Sequence, residues 1–143
     1  MQKKLFPTPE DAEAAFYDAL ERANLSAMMA VWAIDDQTVC IHPYGPRFAG
    51  FEAIRTSWVD IFSHGPGPKF RVSELRKHQS PTLAIHSLYE SLILPSEARN
   101  IAPVLATNVY LLTPAGWRMV IRHACSSPDG TTAEEQGTAR ILH

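Results

Sequence analysis

Four polar residues stand where apolar strands or a loop would bring chemistry together: His42, Glu90, Asn108 and His123. Imidazole has an ordinary pKa near 6.5, so His42 can accept and return a proton at neutral pH, which is general-base chemistry. Its alternative is a pocket histidine that hydrogen-bonds a backbone carbonyl and orders the loop through Gly50. Asn108 can donate to a ligand carbonyl and polarise it. Glu90 and His123 each interrupt an apolar strand, and a buried charge left unpaired costs several kcal/mol. They are therefore expected to pair with each other, or Glu90 to hydrogen-bond Trp58 or Asn108. Tyr17, Trp32, Trp58 and Tyr110 supply the aromatic lining for a ligand, or simply fill the core. His42, Glu90 and His123 are also the residue types of a two-histidine, one-carboxylate metal set, but no spacing signature accompanies them, and no metal or cofactor is expected. The chain has no Gly-rich phosphate loop and no G-x-S-x-G or nucleotide fingerprint.

The elements that position these residues are legible in order. Thr8 caps a helix that Pro9 opens, with Glu10 and Asp11 at its dipole-favoured end. Ala12, Ala15, Phe16, Ala19, Leu20 and Ala23 then recur at helical spacing, and Asn24 breaks the run. Leu25, Met28, Met29 and Trp32 continue as a second short helix. Thr38 to Ile41 is a short β-rich run, His42 to Gly50 a Pro- and Gly-rich loop, and Phe51 to Phe62 a third helix. The period then changes to two over Phe70–His78, Thr82–Leu94, Ile101–Thr113 and Gly116–Ala124, with turns at Gln79–Pro81, Pro95–Asn100 and Pro114–Ala115. Helices followed by hairpin-joined strands make an α+β domain.

Strand alternation divides the sheet into two faces. With tight hairpins, Glu90 lies opposite Ala106, Ala106 opposite His123 and Asn108 opposite Ile121. One face then carries Ala84, His86, Leu88, Glu90, Ala106, Asn108, Tyr110, Trp117, Met119, Ile121 and His123. That mixture of apolar groups with a few convergent polar ones suits a ligand cavity beneath the helices. The opposite face carries Leu83, Ile85, Tyr89, Leu105, Thr107, Val109, Leu111, Val120, Arg118 and Arg122, with both arginines read as interface or solvent residues. Too apolar to be left wet, this face is expected to form a homodimer.

The order of these segments resembles the nuclear transport factor 2-like superfamily, in its SnoaL-like branch. The resemblance rests on Val31-Trp32-Ala33 before Asp35-Asp36, then Ile41-His42-Pro43-Tyr44-Gly45, Phe48-Ala49-Gly50-Phe51-Glu52-Ala53-Ile54 and Ser57-Trp58. It continues through Ala106-Thr107-Asn108-Val109-Tyr110 and Gly116-Trp117-Arg118-Met119-Val120 up to His123-Ala124. The branch is similar to the association domain of calcium/calmodulin-dependent protein kinase II. The resemblance implies a cone formed by a strongly curved antiparallel sheet and three N-terminal helices, dimerised through the sheet. It also implies a choice of functions: cofactor-independent isomerase, cyclase, dehydratase or hydrolase chemistry, or a non-catalytic association or ligand-sensing role. In ketosteroid isomerase, a distant relative by this resemblance, the general base is an Asp before a Pro at the end of the first strand. That place holds His42 before Pro43. The oxyanion-hole Asp falls at Asn108, and the oxyanion-hole Tyr at Phe16, beside Tyr17. All three depart from the isomerase, so steroid isomerisation is not expected.

Composition bounds the rest. The chain has 143 residues, 45% hydrophobic and 20% charged, the make-up of one globular domain with a real core. Its core is expected over residues 9–124, with 125–143 a polar C-terminal extension that composition alone reads as a flexible tail but that is expected to pack on another surface, a partner subunit being one candidate. Thirteen Lys and Arg against fifteen Asp and Glu leave a formal charge of −2, no footprint for nucleic acid or an anionic membrane. No apolar run approaches a membrane span, and the basic start meets acids and a helix before any signal-peptide core. Cys40 and Cys125 make neither a disulfide framework nor a metal clip, which suits a reduced, cytoplasmic protein whose partner is a small apolar or carbonyl-bearing molecule. In a strand, Cys125 and His123 share a face, as a thiolate–imidazole pair or as an inert thiol at the strand end.

Overall fold

The computed structural model describes residues 3–67, 69–93 and 103–127. Helices α1 (Pro9–Arg22) and α2 (Leu25–Val31) come first, then strands β1 (Val39–Ile41) and β2 (Arg47–Ala49), then α3 (Phe51–Phe62). Strands β3 (Lys69–Gln79), β4 (Leu83–Ile93), β5 (Val104–Thr113) and β6 (Gly116–Ser126) follow. The expected turn at Pro95–Asn100 and most of the C-terminal extension, 128–143, lie outside the described residues.

Local chemistry starts each helix. Thr8 Oγ1 accepts the Asp11 N–H at 3.1 Å, satisfying one orphan donor at the N-terminus of α1. Asn24 caps α2 in the same way by accepting Ala27 N–H at 3.0 Å. The inward stripes of the helices pack on the sheet: Phe16 and Ala19 of α1, Met28 of α2, and Ile54 and Trp58 of α3 meet Ala84, Tyr110, Trp117 and Met119. Each large side chain fully buried here stabilises the fold by roughly 1.5–3 kcal/mol.

The sheet is six-stranded in the order β2-β1-β6-β5-β4-β3. β3 to β6 form successive antiparallel pairs, whereas β1 runs parallel to β6, so the α+β cone is built on a mixed sheet. The loop expected from His42 to Gly50 contains β2, which pairs antiparallel with β1.

The β5–β6 hairpin departs from the simple register in one decisive place. Val109 pairs with Ile121, but Tyr110 pairs with Met119, so Val120 is an extra residue on β6. Such a bulge shifts the alternation by one, and every side chain beyond it changes face. Asn108 therefore lies opposite Arg122, not Ile121, and Ala106 opposite Ala124, not His123. Glu90 lies opposite Val104. Arg122, expected to point outward, is buried, while Ile121 and His123 are exposed on the outer face.

Arg118 does lie on the outer side, yet it is neither solvated nor open to a partner, being 1% exposed. The N-terminal segment covers it. Leu5 N–H donates to the Ala115 carbonyl and Trp117 N–H to the Phe6 carbonyl. Arg118 donates to the carbonyls of Leu5 at 3.1 Å and Lys3 at 2.6 Å, with its guanidinium 5.0 Å from the Phe6 ring centroid. Burial lowers its pKa.

This crossing demands a glycine. Gly116 has φ +102°, and a Cβ there would stand 1.7 Å from the Leu5 carbonyl oxygen. Gly116→Ala is expected to destabilise the domain by roughly 2–4 kcal/mol in urea unfolding, through backbone strain and loss of the N-terminal cover. Unchanged stability would mean the segment does not pack as described.

Candidate functional site

Helix α1 lays three polar side chains four residues apart across the sheet: Glu13, Tyr17 and Glu21. Spacing of four puts them on one face. Glu21 accepts the Phe70 N–H at the edge of β3 at 3.3 Å. The other two each organise a buried cluster.

The first cluster centres on Glu90, which is 2% exposed. Arg122 grips it with two parallel hydrogen bonds, Nη1 to Oε2 at 2.7 Å and Nη2 to Oε1 at 3.0 Å. Tyr17 O–H donates to the same carboxylate at 2.5 Å. Asn108 closes the ring, donating from Nδ2 to the Tyr17 hydroxyl oxygen at 3.0 Å and accepting Arg122 Nη1 on Oδ1 at 3.2 Å. The guanidinium also lies 4.8 Å from the Phe16 ring centroid. Burial alone would lower the arginine pKa, but the charge and hydrogen bonds of Glu90 hold it above its ordinary value. Burial, then the Glu90 charge, push the Tyr17 pKa well up, so its hydroxyl remains a donor.

The second cluster is also buried. His86 Nδ1 lies 2.9 Å from Glu13 Oε2, and Tyr110 O–H donates to the same oxygen at 3.2 Å. Burial and the Glu13 charge raise the Tyr110 pKa.

His42 stands just past β1, half-buried, where Cys40 of that strand pairs with Arg122. Its Nε2 is 2.9 Å from Ser57 Oγ, and its ring meets Trp58 edge-on with centroids 4.6 Å apart. Phe48 of β2 flanks it at 5.8 Å. Burial first, and the Arg122 charge second, lower the His42 pKa to about 4. The imidazole is therefore neutral at pH 7, with a lone pair available but a weaker affinity for a proton than free imidazole has. Burial pushes the neighbouring Cys40 thiol up to about 12, leaving it a packed, inert group.

The structure thus brings Glu90, Asn108 and Tyr17 into one network, with His42 and Trp58 beside it through Arg122 and Phe16. Tyr110 belongs to the Glu13–His86 cluster. Trp32 sits in the core, bridged to Met119. His123 is not in the site: the bulge turns it outward, and Arg122 takes the place expected for it against Glu90. That also separates His123 from the possible metal set, and among the described residues no three His, Cys, Asp or Glu side chains converge to hold a metal ion. Cys125, like His123, is exposed on the outer side. Arg122, Glu13 and Ser57 are the polar groups missing from the expected site, and His86, expected on the inner face, is found there paired with Glu13. Glu13 carried a readable signal, since it stands one position from Ala12 and three from Phe16 on a buried helical stripe. Two surface concavities, of about 650 and 510 Å3, flank the N-terminal segment near Lys4 and Pro114, at the other end of β6 from His42.

A family model described as a SnoaL-like domain matches residues 10–129. The chain belongs to the SnoaL-like domain family. It shares 38% identity with a solved Thiobacillus denitrificans chain provisionally named a calcium/calmodulin-dependent protein kinase type II association domain. That match has a TM-score of 0.76 and covers 86% of this chain and 98% of that one. A Streptomyces avermitilis structure, provisionally named a dehydratase of the nuclear transport factor 2-like family, matches at 23% identity and TM-score 0.68. It covers 81% of this chain and 91% of its own, and shows the shared fold. The F-box protein SKIP8 of Arabidopsis thaliana is 28% identical over 109 residues, 76% of this chain. The chain spans 45% of that relative's length.

The His42 environment has a pH signature. A folded pKa near 4 against about 6.5 unfolded means that the unfolded chain takes up the proton first as pH falls. Stability is therefore expected to drop by roughly 2 kcal/mol from pH 7 to pH 4 on account of this residue, after allowance for its partial exposure, and to level off below. Urea unfolding of wild type and His42→Gln across that range isolates the effect, because other titrating groups cancel in the difference. Parallel curves would contradict it.

Proposed function

We propose that the domain binds a small, largely apolar molecule carrying a carbonyl or carboxylate beside His42, and that His42 acts on it by cofactor-independent proton transfer. The observation that carries this reading is the placing of His42: half-buried at the end of β1, flanked by Trp58 and Phe48, with Nε2 2.9 Å from Ser57 Oγ. Trp58 Nε1 and Arg122 Nε support it. Both are buried donors without a hydrogen-bond partner among the described residues, so each has a hydrogen bond left to give. The reaction classes compatible with one proton acceptor and fixed donors are isomerisation, aldol-type cyclisation, dehydration and hydrolysis. Asn108 and Glu90 hold Tyr17 and Arg122 in place in this scheme.

A second reading is a non-catalytic association or ligand-sensing module. One observation favours it: the Glu90 carboxylate itself occupies the donors of Tyr17 and Arg122, so much of the interior is satisfied from within. The name of the 38% identical Thiobacillus chain points the same way.

In either reading the working unit is a homodimer through the outer sheet face. Leu83, Ile85, Ile93 and Ile121 are exposed there, an apolar surface larger than isolated residues would make. Cys40 and Cys125 are free thiols on opposite faces of the sheet, consistent with a reducing, cytoplasmic setting.

Native mass spectrometry of the purified chain and of His42→Ala tests these points together. The expected result is a dimer carrying a small bound mass in the wild type, and a dimer without it in the variant. A bound mass retained in His42→Ala would remove His42 from the site. An empty wild-type assembly larger than a dimer would favour the association reading.

A further inference from the structure

We propose that Ser57 is a positioning residue that locks the tautomer of His42, so that Nε2 carries the proton and Nδ1 is the nitrogen left to accept one. This rests on the reading of His42 as a proton acceptor and adds which atom does the accepting.

The inference follows from counting protons. A serine hydroxyl has one hydrogen to give and lone pairs to receive. Ser57 lies on α3, and its Oγ is 2.7 Å from the Ile54 carbonyl oxygen three residues earlier. A carbonyl can only accept, so the hydroxyl hydrogen is committed to that contact. The Oγ then meets His42 Nε2 at 2.9 Å as an acceptor, which requires Nε2 to be the protonated nitrogen.

The remaining neighbours do not compete for this choice. From β1, Cys40 Sγ stands 3.7 Å from Nε2 and 3.9 Å from Nδ1, too even to select either. From β6, Arg122 is a cation paired with Glu90 of β4; its charge disfavours a second proton on the ring. Trp58 of α3 and Phe48 of β2 contribute ring contacts only. Ser57 is itself 6% exposed, so water does not readily replace it.

The arrangement has a functional consequence. A ligand proton must be presented to Nδ1, and a mixed tautomer would divide the ring between a competent and an incompetent form. Helix α3 therefore orients the base as well as covering the core.

Nitrogen-15 NMR of the full chain, labelled at histidine and recorded near pH 7, reads this directly. His42 is expected to show a protonated Nε2 and an unprotonated Nδ1. Ser57→Ala is expected to lose the slowly exchanging Nε2 proton, and Ser57→Thr, which keeps a hydroxyl at that position, to restore it. A protonated Nδ1 in the wild type, or an identical His42 spectrum in Ser57→Ala, would overturn the proposal. Should Ser57→Ala not fold, a protonated Nδ1 in the wild type or in Ser57→Thr would still overturn the proposal. The tautomer is read without ligand, so a failure of ligand binding at His42 in the mass spectra is a separate result.

Discussion

The interior of this domain depends on a guanidinium buried against a carboxylate. Arg122 and Glu90 come from strands two apart in the sheet, and neither has water to fall back on. Desolvating two charges costs several kcal/mol each, and their attraction offsets this only with good geometry and with the remaining donors and acceptors engaged. Here two parallel hydrogen bonds, the Tyr17 hydroxyl and the Asn108 amide supply most of that geometry, with Arg122 Nε left over. The pair also ties the β4–β5–β6 ladder to α1. It sets the electrostatics seen by Cys40, Tyr17 and His42, so the acid–base character of the candidate site follows from it.

One backbone irregularity makes the pair possible. Without the extra residue at Val120, Arg122 would face outward and His123 would face Glu90. A histidine there could shed its proton; an arginine cannot, so the bulge replaces a titratable partner with a permanent cation. His42 accordingly feels a fixed positive charge rather than a variable one. The outer face gains Ile121 and His123 in exchange, and the apolar surface there becomes more continuous.

Much of this was legible in the sequence, and the limits have physical reasons. Thr8, Pro9 and Asn24 act through contacts within three or four residues, so caps and helix starts could be read directly. The strands of the long hairpins and the inward place of Glu90 and Asn108 followed from alternation on β4 and β5, which is unbroken between them. The bulge was not legible: residues 116–126 contain no glycine or proline beyond Gly116, and nothing local distinguishes Val120 from its neighbours. β2 was hidden because its Pro- and Gly-rich surroundings resemble a loop, and its pairing with β1 is a contact across the turn. Arg118 looked like an outer-face residue and is one; its burial comes from Lys3–Phe6, more than a hundred residues away in sequence.

The most direct measurement is a double-mutant cycle on Glu90 and Arg122, using Glu90→Leu, Arg122→Met and the double variant in urea unfolding. Each single variant strands a buried charge and should cost about 3–5 kcal/mol, whereas the double variant should recover about 2 kcal/mol or more of their sum. Costs that simply add, within about 0.5 kcal/mol, would mean that Arg122 and Glu90 do not meet, and that the bulge does not turn Arg122 into the site.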